Sequence, residues 1–172
     1  MMETAPHHII IMGVAGSGKT TIGKRLASTL SLRFLEGDDL HPTANRVKMI
    51  AGERLSDDDR WPWLGRVNRE MRDSTCSLVV SCSALHSAYR QFLLEGVTAS
   101  FVCLQLTEEV TLQRVKQREH FFPDSLVHDQ FKTLQVPDES ESILIDADQT
   151  PEHITSMIIR SLPAVRFAQQ KT

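Results

Sequence analysis

The stretch Gly13-Val14-Ala15-Gly16-Ser17-Gly18-Lys19-Thr20 constrains the fold more than any other part of the chain. It fits the pattern G-x-x-x-x-G-K-[ST]. The apolar run Ile9-Ile10-Ile11-Met12 precedes it, and a segment with Ile22, Leu26 and Leu30 at helical spacing follows. Strand, glycine-rich turn and helix is the context in which this motif binds phosphate. Glycines let the backbone take positive φ and leave no Cβ in the path of an anion. Successive N–H groups and the positive end of the following helix then face the phosphates. Lys19 reaches β- and γ-phosphate oxygens, and the Thr20 hydroxyl serves as a ligand for Mg²⁺. The nucleotide-binding set is Gly13, Val14, Ala15, Gly16, Ser17, Gly18, Lys19 and Thr20, with Thr21 directly after it.

Apolar runs of strand length recur at Leu32–Leu35, Ser77–Cys82, Phe101–Leu104 and Ile143–Ile145, the third strand being of the continuous, doubly buried kind. Helical patterns separate them. Pro42 opens one that runs to about Ile50, with Val47 and Ile50 facing inward and Gly52 ending it. Ser56 and Asp59 stand at capping-box spacing before the apolar stripe Leu64, Val67 and Met71, which Trp61 and Trp63 flank. A helix through Tyr89 and Arg90 closes at Gly96. Thr107-Glu108-Glu109 opens a further helix that carries Arg114 and Arg118 on one face. Residues 114–136 read as a flap, or lid, between the fourth and fifth strands. Thr150-Pro151 caps a last helix with Ile154, Ile158 and Leu162 inward. The pattern predicts an α/β fold: a doubly wound, mainly parallel five-stranded sheet flanked by helices, in one domain over 1–172.

The 172 residues suit one domain with a sizeable core, and the net charge of −3 leaves no basic surplus for nucleic acid. Three cysteines, Cys76, Cys82 and Cys103, lie in or beside apolar stretches and read as reduced core residues. No apolar run approaches the ~20 residues that span a bilayer. The segment Met1–His8 lacks a basic region followed by an apolar one. A cytoplasmic protein with no membrane partner is expected. The seven histidines show no ligand spacing.

A phosphate-binding loop names no reaction. No strand ends in the aspartate of a Walker B strand, since the third exits as Ser81-Cys82-Ser83. The carboxylate for the metal must come from elsewhere, and Asp38, after the second strand, is best placed. Arg114 and Arg118 of the flap are suited to neutralise charge on a transferred phosphoryl group while water is shut out. The chain is too short for a separate effector domain. A small-molecule kinase accounts for all of this.

The runs Gly37-Asp38-Asp39-Leu40-His41-Pro42, Asn45-x-x-Lys48-Met49, Gly52-x-x-Leu55-x-Asp57-Asp58-Asp59-Arg60-x-Pro62-Trp63-Leu64, Cys82-Ser83-Ala84-Leu85 with Tyr89-Arg90, and His120-Phe121-Phe122 with Gln130-Phe131-x-x-Leu134 resemble the gluconate kinase family. The blocks keep the family's order from about residue 8 to 160. The resemblance implies ATP-dependent, Mg²⁺-assisted phosphorylation of D-gluconate to 6-phosphogluconate, which feeds the pentose phosphate pathway. It also implies a fold akin to shikimate and nucleoside monophosphate kinases, and a homodimer.

With the chemistry, it assigns roles. Lys19, Asp38, Arg114 and Arg118 are the catalytic set. Asp38 either accepts the proton of the sugar acid's terminal hydroxyl, or holds Mg²⁺ with Thr20, or does both; the alternative is a helix cap. His41 and Ser83 face substrate hydroxyls. The substrate carboxylate calls for a cation, for which Lys48, Arg60 and Arg90 are the candidates. Asp148-Gln149-Thr150-Pro151 resembles the loop that borders the adenine.

Three departures stand out: His86 where the family is usually basic, Arg54 where it typically has proline, and a lid run Arg118-Glu119-His120 one residue short and without its glycine. Rival readings are another small-molecule kinase, for shikimate or a nucleoside monophosphate, and a non-catalytic nucleotide-binding regulator.

Overall fold

A computed structural model describes residues 5–117, 123–164 and 167. Five strands form one sheet in the order β2-β3-β1-β4-β5. They are β1 (His7–Met12), β2 (Arg33–Glu36), β3 (Leu78–Ser81), β4 (Thr98–Gln105) and β5 (Ser142–Asp146). Every pairing is parallel, with Ile10 opposite Val80 on one side and Phe101 on the other. Parallel strands are covered on both faces by the helices that connect them, which is why these segments are apolar at nearly every position.

The alternation of side chains along β1 divides the core. Ile9 and Ile11 pack with Ile22 and Leu26 of α1 (Lys19–Leu30) and Ile154 and Ile158 of α7 (Pro151–Ser161). Ile10 and Met12 face the other way, onto Trp63, Leu64, Val67 and Met71 of α3 (Asp57–Arg72) and Leu93 of α4 (Ser87–Leu93). Cys76, Cys82 and Cys103 are buried and unpaired, and burial pushes the thiols of Cys82 and Cys103 up to about 12 and about 11. They are core residues, as expected.

The capping box is present: Ser56 Oγ accepts from Asp59 N at 3.2 Å, and Asp59 accepts from Ser56 N at 2.8 Å. Thr107 and Thr150 cap α5 (Glu108–Lys116) and α7 in the same sense.

One expectation fails. In α2 (Thr43–Ile50), Val47 and Ile50 are 61% and 88% exposed, and the buried residue is Asn45. The helix does not lie on the sheet. It is held by a polar anchor, Asn45 Nδ2 donating to Asp59 O at 2.8 Å, so its apolar positions have no core to reach. Pro42 precedes the first turn as its cap rather than opening it.

Beyond α5, α6 (Asp124–Thr133) packs against α5, with Val127 fully buried. Strand order reverses at β1, where β3 leads one way and β4 the other. Such a switch point opens a crevice at the carboxyl ends of the strands.

Candidate active site

The loop between β1 and α1 lies at that crevice. Gly13, with φ +144°, could not carry a side chain: an added Cβ would sit 2.8 Å from Leu104 O and 2.8 Å from Ser17 Oγ. Gly18 caps α1 in the left-handed region at φ 94°, with no side-chain cap, and the first turn holds no acidic residue. The N–H groups at that helix end therefore have no built-in anion, which is the condition for binding one. Lys19 Nζ lies back along the loop and donates to Val14 O at 3.0 Å.

A cavity of about 530 Å³ extends from this loop. Gly18, Lys19 and Thr20 of the loop line it together with Asp38, His41 and Arg60. Ser83 and Thr21 also line it. Its size suits a small metabolite with part of a nucleotide.

Thr20 Oγ1 donates to Glu36 Oε2 at 2.6 Å, and Ser81 Oγ donates to the other oxygen of the same carboxylate. Glu36 and Ser81 are register partners at the ends of β2 and β3. Sequence reasoning named Asp38 from the acidic strand exit and passed over Glu36, two residues earlier. The pairing that singles out Glu36 joins three separate segments. The only local signal was an acidic residue as the last of a strand.

Asp38 lies in the 3₁₀ turn Gly37–Leu40, its side chain 56% exposed. Backbone contact fixes that turn: Gly37 lies too close to Ser81 O to admit a Cβ, and Trp63 Nε1 donates to Gly37 O at 2.7 Å. His41, only 5% exposed, stacks on Trp63 with centroids 4.1 Å apart and planes 16° apart. Burial above all, then the charges of Arg46 and Arg60, push its pKa down to about 4. Its Nδ1 lies 3.2 Å from Asn45 Nδ2, which can only donate. Nδ1 is thus the acceptor, and the proton is on Nε2, 3.9 Å from Asp38 Oδ1. The ring is neutral, so this contact is a polar donor beside a carboxylate and not an ion pair.

The candidate cations separate. Arg60 reaches the cavity, its guanidinium 3.2 Å from Tyr89 Oη, 3.5 Å from Asp57 Oδ1 and over the Tyr89 ring at 5.7 Å. Tyr89 in turn donates to Asp57. Lys48 instead grips both oxygens of Asp59 at 2.8 Å, and this contact is the main reason that carboxyl is held down at about 2. Arg90 is 5% exposed and holds Gln135 O at 3.0 Å, Ala84 O at 3.3 Å and Glu141 Oε2 at 3.3 Å. Neither Lys48 nor Arg90 lines the cavity. Arg114 binds Ala147 O at 2.9 Å and Asp148 Oδ1 at 3.3 Å, on the loop between β5 and α7. Arg118 falls outside the described residues. Two further residues, unassigned from sequence, close the cavity from α6: Leu126 and Gln130. Arg54, where proline was expected, also lines it.

A parallel sheet in this order, with a glycine-rich loop opening into a cavity that a carboxylate helps to line, is the arrangement of the P-loop kinases. The AAA-domain family model matches residues 9–121. The thermoresistant gluconokinase of Escherichia coli (strain K12) is 43% identical over 162 residues, covering 89% of this chain and 92% of that protein. The crystal structure of a gluconokinase from Sinorhizobium meliloti 1021 superposes with a TM-score of 0.84 at 39% identity, covering 90% of each chain. Shikimate kinase from Aquifex aeolicus shares the fold at a TM-score of 0.65 and 18% identity, covering 90% of this chain and 95% of its own. The chain belongs to the gluconokinase family.

Proposed function

We propose that the protein transfers the terminal phosphoryl group of ATP to the terminal hydroxyl of D-gluconate, giving 6-phosphogluconate. The observation that carries this reading is the continuity of one cavity, from Lys19 and Thr20 to Asp38, His41 and Arg60. It supports an in-line transfer in which positioning and charge do most of the catalysis.

In this reading the N–H groups of residues 13–20 hold the phosphates, and Lys19 follows the charge on the transferred group. Asp38 accepts the hydrogen of the attacking hydroxyl, and the His41 Nε2–H orients a neighbouring sugar oxygen. Arg60, preset by Tyr89 and Asp57, takes the sugar acid's carboxylate. Arg114 acts from α5 at the nucleotide's side, and residues 114–136 serve as the lid of a single kinase domain.

Mg²⁺ fits the donors present: the Thr20 hydroxyl with the carboxylates of Glu36 and Asp38. No group of three or more His, Cys, Asp or Glu residues suited to hold a metal exists among the described residues. That agrees with an ion that relies on one or two carboxylates plus substrate phosphates. When bound it would supply neutralisation of the charge on the transferred phosphoryl group.

A homodimer and a cytoplasmic location belong to the same proposal. The first follows from the resemblance of the sequence blocks, and the buried thiols support the second. Among the described residues no helix is long and apolar enough to cross a membrane.

A panel of acceptors incubated with MgATP tests the function through ADP release. Gluconate-dependent ADP formation is expected. Preference for shikimate or a nucleoside monophosphate, or ATP binding with no acceptor-dependent ADP, would overturn it.

A further inference from the structure

Gln130 lies on the second turn of α6 and reaches across to the phosphate-binding loop. Its Oε1 accepts a hydrogen bond from Ala15 N at 2.6 Å, across 115 residues of sequence. Ala15 belongs to the phosphate-binding loop, and both residues line the same cavity. A carboxamide oxygen there is a neutral acceptor on a main-chain donor of the kind that this loop turns toward phosphate oxygens.

We propose that Gln130 is a built-in placeholder for a phosphate oxygen, so that α6 latches the nucleotide-free form of the loop and nucleotide binding must displace it. The proposal rests on the kinase reading of the loop. A phosphate oxygen carries charge and makes the stronger bond to an amide, so the nucleotide wins the site. Its apparent affinity is still lowered by the population of latched molecules.

The latch reaches the acceptor side as well. The residue beside it, Asp129, lies 3.6 Å from Arg54 through its Oδ2, and Arg54 lines the cavity. In the same loop, a Cβ on Gly52 would come within 3.0 Å of Pro123, which caps α6. Consecutive residues of one helix thus touch the phosphate loop and the segment that walls the acceptor. Displacing Gln130 shifts the contacts of both, which makes α6 a strap between the two substrates.

The test is binding of Mg²⁺ with a non-hydrolysable β,γ-imido ATP to the full chain, with hydrogen exchange followed over residues 126–134. In Gln130→Leu the placeholder is removed, and the analogue should bind about fivefold tighter, the worth of one neutral hydrogen bond. Exchange in 126–134 of the unliganded variant should rise to the level the wild type reaches only with the analogue. In Gln130→Glu a charged acceptor remains and repels phosphate, so binding should weaken. A purely structural role for Gln130 would move both variants in the same direction. Weaker or unchanged binding in Gln130→Leu, or exchange in 126–134 that the analogue leaves unaltered in the wild type, would overturn the latch alone. A wild-type chain that binds no analogue would instead remove the kinase reading, and the latch with it.

Discussion

Asn45 donates to His41 Nδ1 at 3.2 Å across one turn of chain, and in doing so decides which nitrogen of the buried ring carries the proton. The same carboxamide nitrogen donates to Asp59 O at 2.8 Å, tying α2 to the start of α3. Asn45→Leu should therefore let the ring change tautomer while keeping the volume. The expected result is a fall of about tenfold in kcat/KM for gluconate, equivalent to about 1.4 kcal/mol of transition-state stabilisation, with nucleotide affinity unchanged. Steady-state kinetics on both substrates checks it; an equal loss for ATP would show that the change is not confined to the ring.

The two most deeply buried histidines among the described residues, His8 and His41, set a limit on acid tolerance. His8 accepts from Leu78 N at 3.2 Å, and burial first, then His7, pushes its pKa down to about 4; His41 is likewise held at about 4. The unfolded chain binds these protons near pH 6.5, whereas the folded chain refuses them until about pH 4. Stability from this source is complete above pH 6.5 and is lost as the pH falls toward 4. Each histidine should remove about 2 kcal/mol by pH 5. Urea unfolding at pH 7, 6 and 5 reads the slope, and His8→Gln should flatten it by about half.

Glu36 gathers the Thr20 and Ser81 hydroxyls onto one carboxylate. Glu36→Gln keeps the shape, removes the charge and leaves the hydroxyls one good acceptor. If this group positions the metal, kcat should fall by roughly 10- to 100-fold and the Mg²⁺ concentration for half-maximal rate should rise. The melting temperature should move little. A magnesium titration of initial rates separates this from a role in strand pairing, which would change the melting temperature and not the titration.

Much of the frame was readable because local rules and long-range needs agree there. The five apolar strands sit where expected, within a residue or three, because a parallel sheet buries them on both faces. Glycine loop, capping box and Thr-Pro helix start are short-range chemistry, and the fold contains all three. The face of α2 was misread because helical spacing cannot say whether a core lies beneath a helix, and under this one lies a carboxamide anchor. The failure for Glu36 is of another kind. Its significance comes from Thr20 and Ser81, 16 and 45 residues away, and pairing at that range leaves no trace in spacing. Gln130 was visible only as part of a family block, and its partner Ala15 lies 115 residues back.

Arg60 and Arg90 looked interchangeable from sequence and have opposite surroundings. Arg60 faces the cavity from a frame of Tyr89 and Asp57, one fifth of its side chain still open to solvent at 22%. Arg90 is enclosed, and its guanidinium is the donor for three carbonyls, those of Ala84, Leu85 and Gln135. Arg60→Lys keeps the charge and loses the planar fork, so KM for gluconate should rise about tenfold or more while thermal stability holds. Arg90→Met keeps the bulk and leaves those buried carbonyls without their donor, which should lower stability by about 2–4 kcal/mol. Its KM for gluconate should stay within about twofold of the wild type, since a change of that size corresponds to less than 0.5 kcal/mol. Kinetics and urea unfolding on the two variants make the comparison. A large KM effect in Arg90→Met with normal stability would move the carboxylate anchor from α3 to α4, and with it the orientation in which the sugar acid enters the cavity.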